Sequence, residues 1–280
     1  AMPFGAEVRP DGATRFRIWA PDEKNIHLAL DGARIPMKPA SRGWHELIHS
    51  GVGHGARYRF ALENGLVVAD PASRFNPDDV HAASEVIDPS TYAWRNAGWR
   101  GIAWEQAVLY ELHVGTFTAE GTFLAARARL EALAELGVTM IELMPVADFP
   151  GKPNWGYDGV LLYAPDSSYG RPEDLKALVD EAHGLGLAVL LDVVYNHFGP
   201  DGNYLHAYAP QFFDPEHQTP WGAAIRFEGP DSRTVRDFYV HNALYWLEEY
   251  RFDGLRLDAM HAIQDRSTPG IVEEIARAIR

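Results

Sequence analysis

The stretch Gly254-Leu255-Arg256-Leu257-Asp258-Ala259 decides how this chain is read. Along an extended strand, successive side chains point to opposite faces, so Leu255 and Leu257 share one side and Arg256 and Asp258 the other. The leucines suit a covering layer of helices. The charged pair is tolerable facing inward only because the two groups compensate each other. In a parallel barrel such charges would point inward at the carboxyl end of the strand, where barrel enzymes keep their reacting groups. Arg256, two residues away, is expected to keep Asp258 ionised by charge and hydrogen bonding, which makes the carboxylate a candidate nucleophile. An internal ion pair that serves packing alone accounts for the same pattern equally well.

Working outward, three similar apolar runs precede it: Val108 to Val114, Thr139 to Val146 and Ala188 to Val194. Helix-period segments lie between and after them: Leu124 to Leu136, a run from Pro172, Val235 to Tyr250 and Ile271 to Ile279. The run from Pro172 has Leu175, Leu178, Val179 and Ala182 on one face, acids Glu173 and Asp174 in its first turn, and Gly184 or Gly186 to close it. Four β-α units result, which implies parallel strands joined by crossovers. An open nucleotide-binding sheet needs a glycine-rich phosphate turn after its first strand, and His113 to Phe117 contains no GxGxxG. The reading is therefore α/β: a (β/α)8 TIM barrel of which residues 96–280 supply about the first four units. Residues 1–95 differ. Short runs with a period of two, such as Ile26, Leu28 and Leu30 or Tyr58, Phe60 and Leu62, are punctuated by Asp11-Gly12, Asp31-Gly32 and Asn64-Gly65. They read as an N-terminal all-β sandwich ending in a proline-rich linker that lies on the barrel.

Other candidate site residues follow strand ends. Asp192 lies inside the third strand as an organiser of neighbouring loops, and His197, just past it, is a candidate donor to a substrate hydroxyl. Tyr157, beside Gly156, is the choice for a sugar-stacking platform, whereas Trp155 reads better as a packed anchor of its loop. The long segment 198–232 is too long for a plain connection and suits the wall of a cleft, with Asn203, Tyr204 and Trp221 as candidate lining. Asp192, Asn196, His197 and Asp201 cluster in sequence, yet no HExxH or EF-hand spacing accompanies them, so no metal is expected.

Composition narrows the partners. A formal net charge of -14 disfavours nucleic acid and anionic membranes, which need clustered basic residues. No apolar run reaches the roughly 18 to 20 residues that span a bilayer, and no secretory leader is evident, so a cytoplasmic location is expected. Zero cysteines rule out disulfides, thiolate metal sites and cysteine nucleophiles. A neutral, ring-rich ligand fits the 8 Trp, 12 Tyr and 13 Phe, although most such rings fill cores.

DVVYNH at 192–197 and GLRLDA at 254–259 resemble two signature regions of the α-amylase superfamily. The flanking text PASRFNPDDVH at 71–81, YELHVGTFTAEGTF at 110–123, ELMPVADFPG at 142–151, WGYDGV at 155–160 and HFGPDGNYL at 197–205 narrows the resemblance to the maltooligosyltrehalose trehalohydrolases within it. This resemblance implies retaining hydrolysis of the α-1,4 bond beside the terminal trehalose of maltooligosyltrehalose, with related α-1,4-glucans as ligands and no cofactor. It implies Asp258 as nucleophile and Arg256 as its charge partner. Tyr157, Asp192, His197, Trp221, Leu257, Ala259, Met260 and His261 are the implied substrate-binding residues. His261 and Ala262 stand where many amylases carry Lys then His, which suits a different acceptor-side sugar. The family's general acid sits on the fifth barrel strand, past Arg280, so the isolated chain is expected to be inactive unless the C-terminal half of the barrel completes it. Branching or debranching enzymes of the same superfamily, and a non-catalytic glucan-binding protein, are the competing readings.

Overall fold

The structure is a computed structural model and describes residues 2–280. In the N-terminal region, one antiparallel sheet runs Glu7–Val8, Ala13–Trp19, Trp44–Ser50, Lys38–Pro39. A second runs Ala33–Pro36, His27–Leu30, Arg57–Ala61, Val67–Val68, with Ser84–Glu85 also paired to Arg57–Ala61. The alternating residues face each other across the gap: Phe16 meets Tyr58 with ring centroids 4.8 Å apart, and Ile18, Leu28 and Phe60 are buried beside them. This is the expected sandwich, and only single 3-10 turns interrupt its strands.

The second region forms a parallel sheet in the order Leu109–Leu112, Met140–Leu143, Ala188–Val193, Gly254–Leu257. These strands are shorter than the apolar runs suggested. Ile141, Val189 and Leu191 are fully buried on the helix side, under Pro172–Gly184 and Ser232–Glu248. On the other side Leu109, Met140, Glu142, Leu190 and Arg256 border an open cavity of about 600 Å³, the barrel interior. Gly254 pairs with Leu190, and a β-carbon on it would come 3.0 Å from the Leu190 side chain. The glycine gives the leucine its place in the interior layer.

Several elements differ from the sequence expectation. The segment 124–136 is two short helices, Phe123–Arg127 and Leu130–Leu136. The buried positions Phe123, Ala126, Leu130 and Leu133 keep a helical spacing across the break, so periodicity alone reads one helix. A small hairpin, Ala147–Asp148 with Leu161–Pro165, carries the loop after the second barrel strand. Another, Phe213–Thr219 with Gly222–Ile225, fills the long segment after the third.

The segment joining the two regions lies on the barrel. Asp180 of the helix Pro172–Gly184 accepts from the Tyr92 hydroxyl at 3.0 Å and from the Arg95 and Asn96 amides at 3.0 and 2.9 Å. A single apolar cluster runs from Phe4 and Phe16 through Phe238 and Tyr245. Among the described residues no helix is long and apolar enough to cross a membrane.

Candidate active site

In-register pairing of the third and fourth barrel strands sets Asp192 directly beside Arg256. Arg256 Nη1 donates to Asp192 Oδ2 at 2.8 Å and to Asp258 Oδ1 at 2.6 Å. One guanidinium therefore bridges a completely buried carboxylate and a partly open one. Burial opposes the charge on Arg256, but Asp192 and Asp258 outweigh it and hold the guanidinium above its ordinary pKa. Burial raises the Asp192 carboxyl to about 6, while hydrogen bonds from Arg256 and Tyr157 pull the other way.

Asp258 follows directly on the strand, and its amide donates to the Val193 carbonyl at 3.0 Å. The chain then turns sharply at Ala259, whose φ of 40° lies in the left-handed region that non-glycine residues rarely adopt. Backbone strain of this kind clusters at ligand sites, where the surroundings over-determine it. Asn196 adds to the constraint, its Nδ2 lying 3.4 Å from the Asp258 and Ala259 carbonyls. The sequence reading considered Asn196 only as a metal ligand and missed this role. Its place directly after the third strand, beside His197, was the available signal.

Tyr157 reaches the same group from the loop after the second strand, its hydroxyl donating to Asp192 Oδ2 at 2.9 Å. Two glycines allow the approach. A β-carbon on Gly156 would lie 2.1 Å from the Pro145 carbonyl, and one on Gly199 would lie 2.0 Å from the Asp158 carbonyl. The loops after the second and third strands thus close on each other, with the Gly199 amide donating to Gly159 at 3.1 Å.

His197 is buried and shares its Nδ1 with Asn196 Oδ1, and its ring stacks on Trp221 with centroids 5.7 Å apart. Burial lowers its pKa, which favours the neutral imidazole, although the Tyr157 carbonyl opposes the shift. Trp221, at the tip of the 213–225 hairpin, is half exposed and so brings an open aromatic face to the rim. Met260 and His261 are exposed on the turn after Asp258.

The structure corrects the expectation for Trp155 and assigns contacts to the other candidates. Leu257 packs on the apolar core with Leu255, because strand alternation turns it away from Asp258. Trp155 is 75% exposed and anchors nothing. The Tyr204 hydroxyl hydrogen-bonds His81 Nδ1 at 2.7 Å, against the inter-domain segment, and Asn203 caps the local turn by accepting from the Leu205 amide at 2.8 Å. Asp201 pairs with His81 rather than gathering with Asp192 and His197. The carboxylates that do converge are Glu111, Glu142 and Asp192, whose oxygens lie within 4.8 Å of one another. A cation could use such a group, but Arg256 already occupies one Asp192 oxygen. Burial, and then the Glu111 charge, push the Glu142 carboxyl upward.

A bridged carboxylate pair at the carboxyl rim of a parallel sheet, flanked by Tyr157 and Trp221, suits attack on a sugar carbon. Comparison with known proteins agrees. Residues 113–243 match the family model of the alpha amylase catalytic domain, and residues 3–73 that of carbohydrate-binding module 48, the isoamylase N-terminal domain. The malto-oligosyltrehalose trehalohydrolase of Deinococcus radiodurans is 49% identical over 277 residues, covering 99% of this chain and 45% of that protein. That of Saccharolobus solfataricus is 46% identical over 279 residues, covering 99% and 49%. The crystal structure of an alpha amylase candidate from Salmonella typhimurium superposes with a TM-score of 0.97 at 52% identity, covering 100% of this chain and 47% of that one. The chain spans about half the length of the curated relatives it matches. By its sandwich, its parallel half-barrel and these likenesses, the chain resembles the α-amylase family, the likeness to the catalytic-domain model running over residues 113–243.

Proposed function

We propose that the complete protein is a retaining glycoside hydrolase that cleaves the α-1,4 bond next to the terminal trehalose of maltooligosyltrehalose and releases trehalose. The observation that carries the reading is Arg256 Nη1, which bridges the buried Asp192 and the partly open Asp258 at the carboxyl end of the fourth strand. In the first step the free Asp258 oxygen attacks the anomeric carbon, and the glycosidic carbon–oxygen bond breaks. The leaving oxygen takes a proton from a second carboxylic acid, which must lie about 5 to 5.5 Å from the first in a retaining enzyme. We assign that acid to barrel segments after residue 280, and water, activated by the same group, then releases the glycosyl unit. Tyr157 and His197 would contact the sugar at the cleavage point. Trp221 would offer its face to a neighbouring ring, as pyranose faces stack on aromatic surfaces, and Ala259, Met260 and His261 would border the acceptor side.

Trehalose as the leaving portion is supported by the relatives' names and by the length of chain over which the likeness runs. The test is product analysis with the complete protein on maltotriosyltrehalose. Free trehalose and maltotriose are expected, with no release by residues 1–280 alone. New α-1,6 branches from amylose would instead make the protein a branching enzyme. Glucan binding without any turnover would make it a non-catalytic glucan-binding protein.

A further inference from the structure

The loop that carries Trp155 and Tyr157 springs from a buried pair of acids. Asp148, at the end of Ala147–Asp148, and Asp166, just past the paired strand Leu161–Pro165, are both sealed from solvent. Their surroundings are opposite. Asp166 accepts from the Phe149 amide at 3.2 Å, from the Ser168 amide at 2.8 Å and from the Ser168 hydroxyl. Asp148 has both oxygens buried and no conventional donor in hydrogen-bonding geometry. The charged groups that bear on it are Asp166 and, from the segment after the sandwich, Asp79; both are acids. Asp79 is itself turned to this loop, its Oδ2 accepting from the Gly151 amide at 3.0 Å.

An ionised carboxylate can only accept hydrogen bonds, whereas a carboxylic acid has one hydroxyl to donate. A buried charge without donor or cation is strongly unfavourable, so one of the two groups takes a proton instead. The three donors on Asp166 favour its ionised form, whereas only the Ser167 amide, outside hydrogen-bonding geometry, favours ionisation of Asp148. We infer that Asp148 is a positioning residue that holds its proton at neutral pH and donates it to Asp166, so that one shared proton seats the loop bearing Tyr157. Burial, with the Asp166 and Asp79 charges added, also pushes the Asp148 carboxyl well above the usual carboxylate range, with the Ser167 amide opposing.

A group whose folded-state pKa lies above its unfolded value contributes stability that is complete below the ordinary carboxylate pKa. That contribution is lost as pH rises through the raised folded value, by up to about tenfold in the folding constant per pH unit for one proton. Above that value two like charges face each other in a dry space, and the hairpin and its loop loosen.

Carbon-13 NMR of the complete protein labelled at the aspartate carboxyls provides the test. The aspartate that titrates at the highest pH is expected to disappear in Asp148→Asn, whose amide can replace the donated hydroxyl. Urea unfolding across pH is expected to show the wild-type folding constant falling relative to that variant by up to about tenfold per pH unit. Asp166→Asn, which removes the anionic acceptor of three donors, is expected to lower stability at every pH. If Asp148→Asn fails to fold, residue assignment of the wild-type carboxyl resonances still decides. A highest-titrating aspartate that is not Asp148, or parallel pH curves for wild type and Asp148→Asn, would overturn the inference.

Discussion

The carboxyl rim of the barrel and the seam between the two regions are each organised around an arginine, and the two are held in opposite ways. At the seam Arg74 is 5% exposed and donates to the Ala72 and Phe4 carbonyls at 2.8 and 3.0 Å. Its guanidinium lies over the Tyr163 and Tyr245 rings, 4.9 and 4.6 Å from their centroids. At the rim the Arg256 side chain is 42% exposed, and its partners are two carboxylates, Asp192 and Asp258. Neutral carbonyls and ring faces fix a cation in one place, which suits architecture. Carboxylates of unequal exposure leave one anion sealed and the other open to a ligand, which suits chemistry.

The comparison is tested most severely by Asp258→Asn in the complete protein. Turnover on maltotriosyltrehalose is expected to be abolished while folding and sugar binding survive, because the neutral amide keeps the shape and loses the nucleophile. Near-wild-type rates would refute the rim as the reacting centre. Next is the seam. Arg74→Met removes two buried donors and the contact with two rings, and is expected to lose about 2 to 4 kcal/mol in urea unfolding. A loss within the roughly 0.5 kcal/mol typical of surface sites would mean that the apolar cluster alone joins the two regions.

Tyr157→Phe removes one donor from Asp192 and sharpens the account of the rim. The expected loss in kcat/KM of the complete protein is about tenfold, the worth of a hydrogen bond to a charged group. Burial is the main cause of the raised Asp192 pKa of about 6, and the Tyr157 hydroxyl is one of the groups that lower it. Without that hydroxyl the acid limb of the pH–rate profile is expected to move to higher pH. The smallest effect is expected from Trp221→Ala, about 1 kcal/mol in glucan affinity by titration calorimetry, with little change in folding stability. An unchanged affinity would remove the hairpin tip from the binding surface.

Much of this was legible in the residues themselves. Alternation in Leu255, Arg256, Leu257 and Asp258 placed the leucines on the helix side and the charges inward, and Pro172–Gly184 forms the helix its spacing and first-turn acids suggest. The hairpins at 147–165 and 213–225 were not legible, because their pairing depends on loops folding back rather than on a strong periodic run. Trp155 and Tyr157 are equally aromatic and nearly adjacent, yet one is turned to solvent and the other to Asp192; only the close approach at Gly156 separates them. The Asp148–Asp166 pair was invisible for the same reason, since neither acid stands out until the hairpin brings them together.

The sequence by itself determined which face of each strand is apolar, that two differently patterned regions follow one another, and that a carboxylate stands beside an arginine at a strand end. Those are local properties of a backbone that repeats every two or 3.6 residues. Tertiary structure decided that Arg256 also reaches Asp192, 64 positions away, and that Tyr157 meets the same carboxylate. Such meetings depend on register, which the hydrogen-bond ladder between strands and the closeness of loop backbones set, and no local period encodes either.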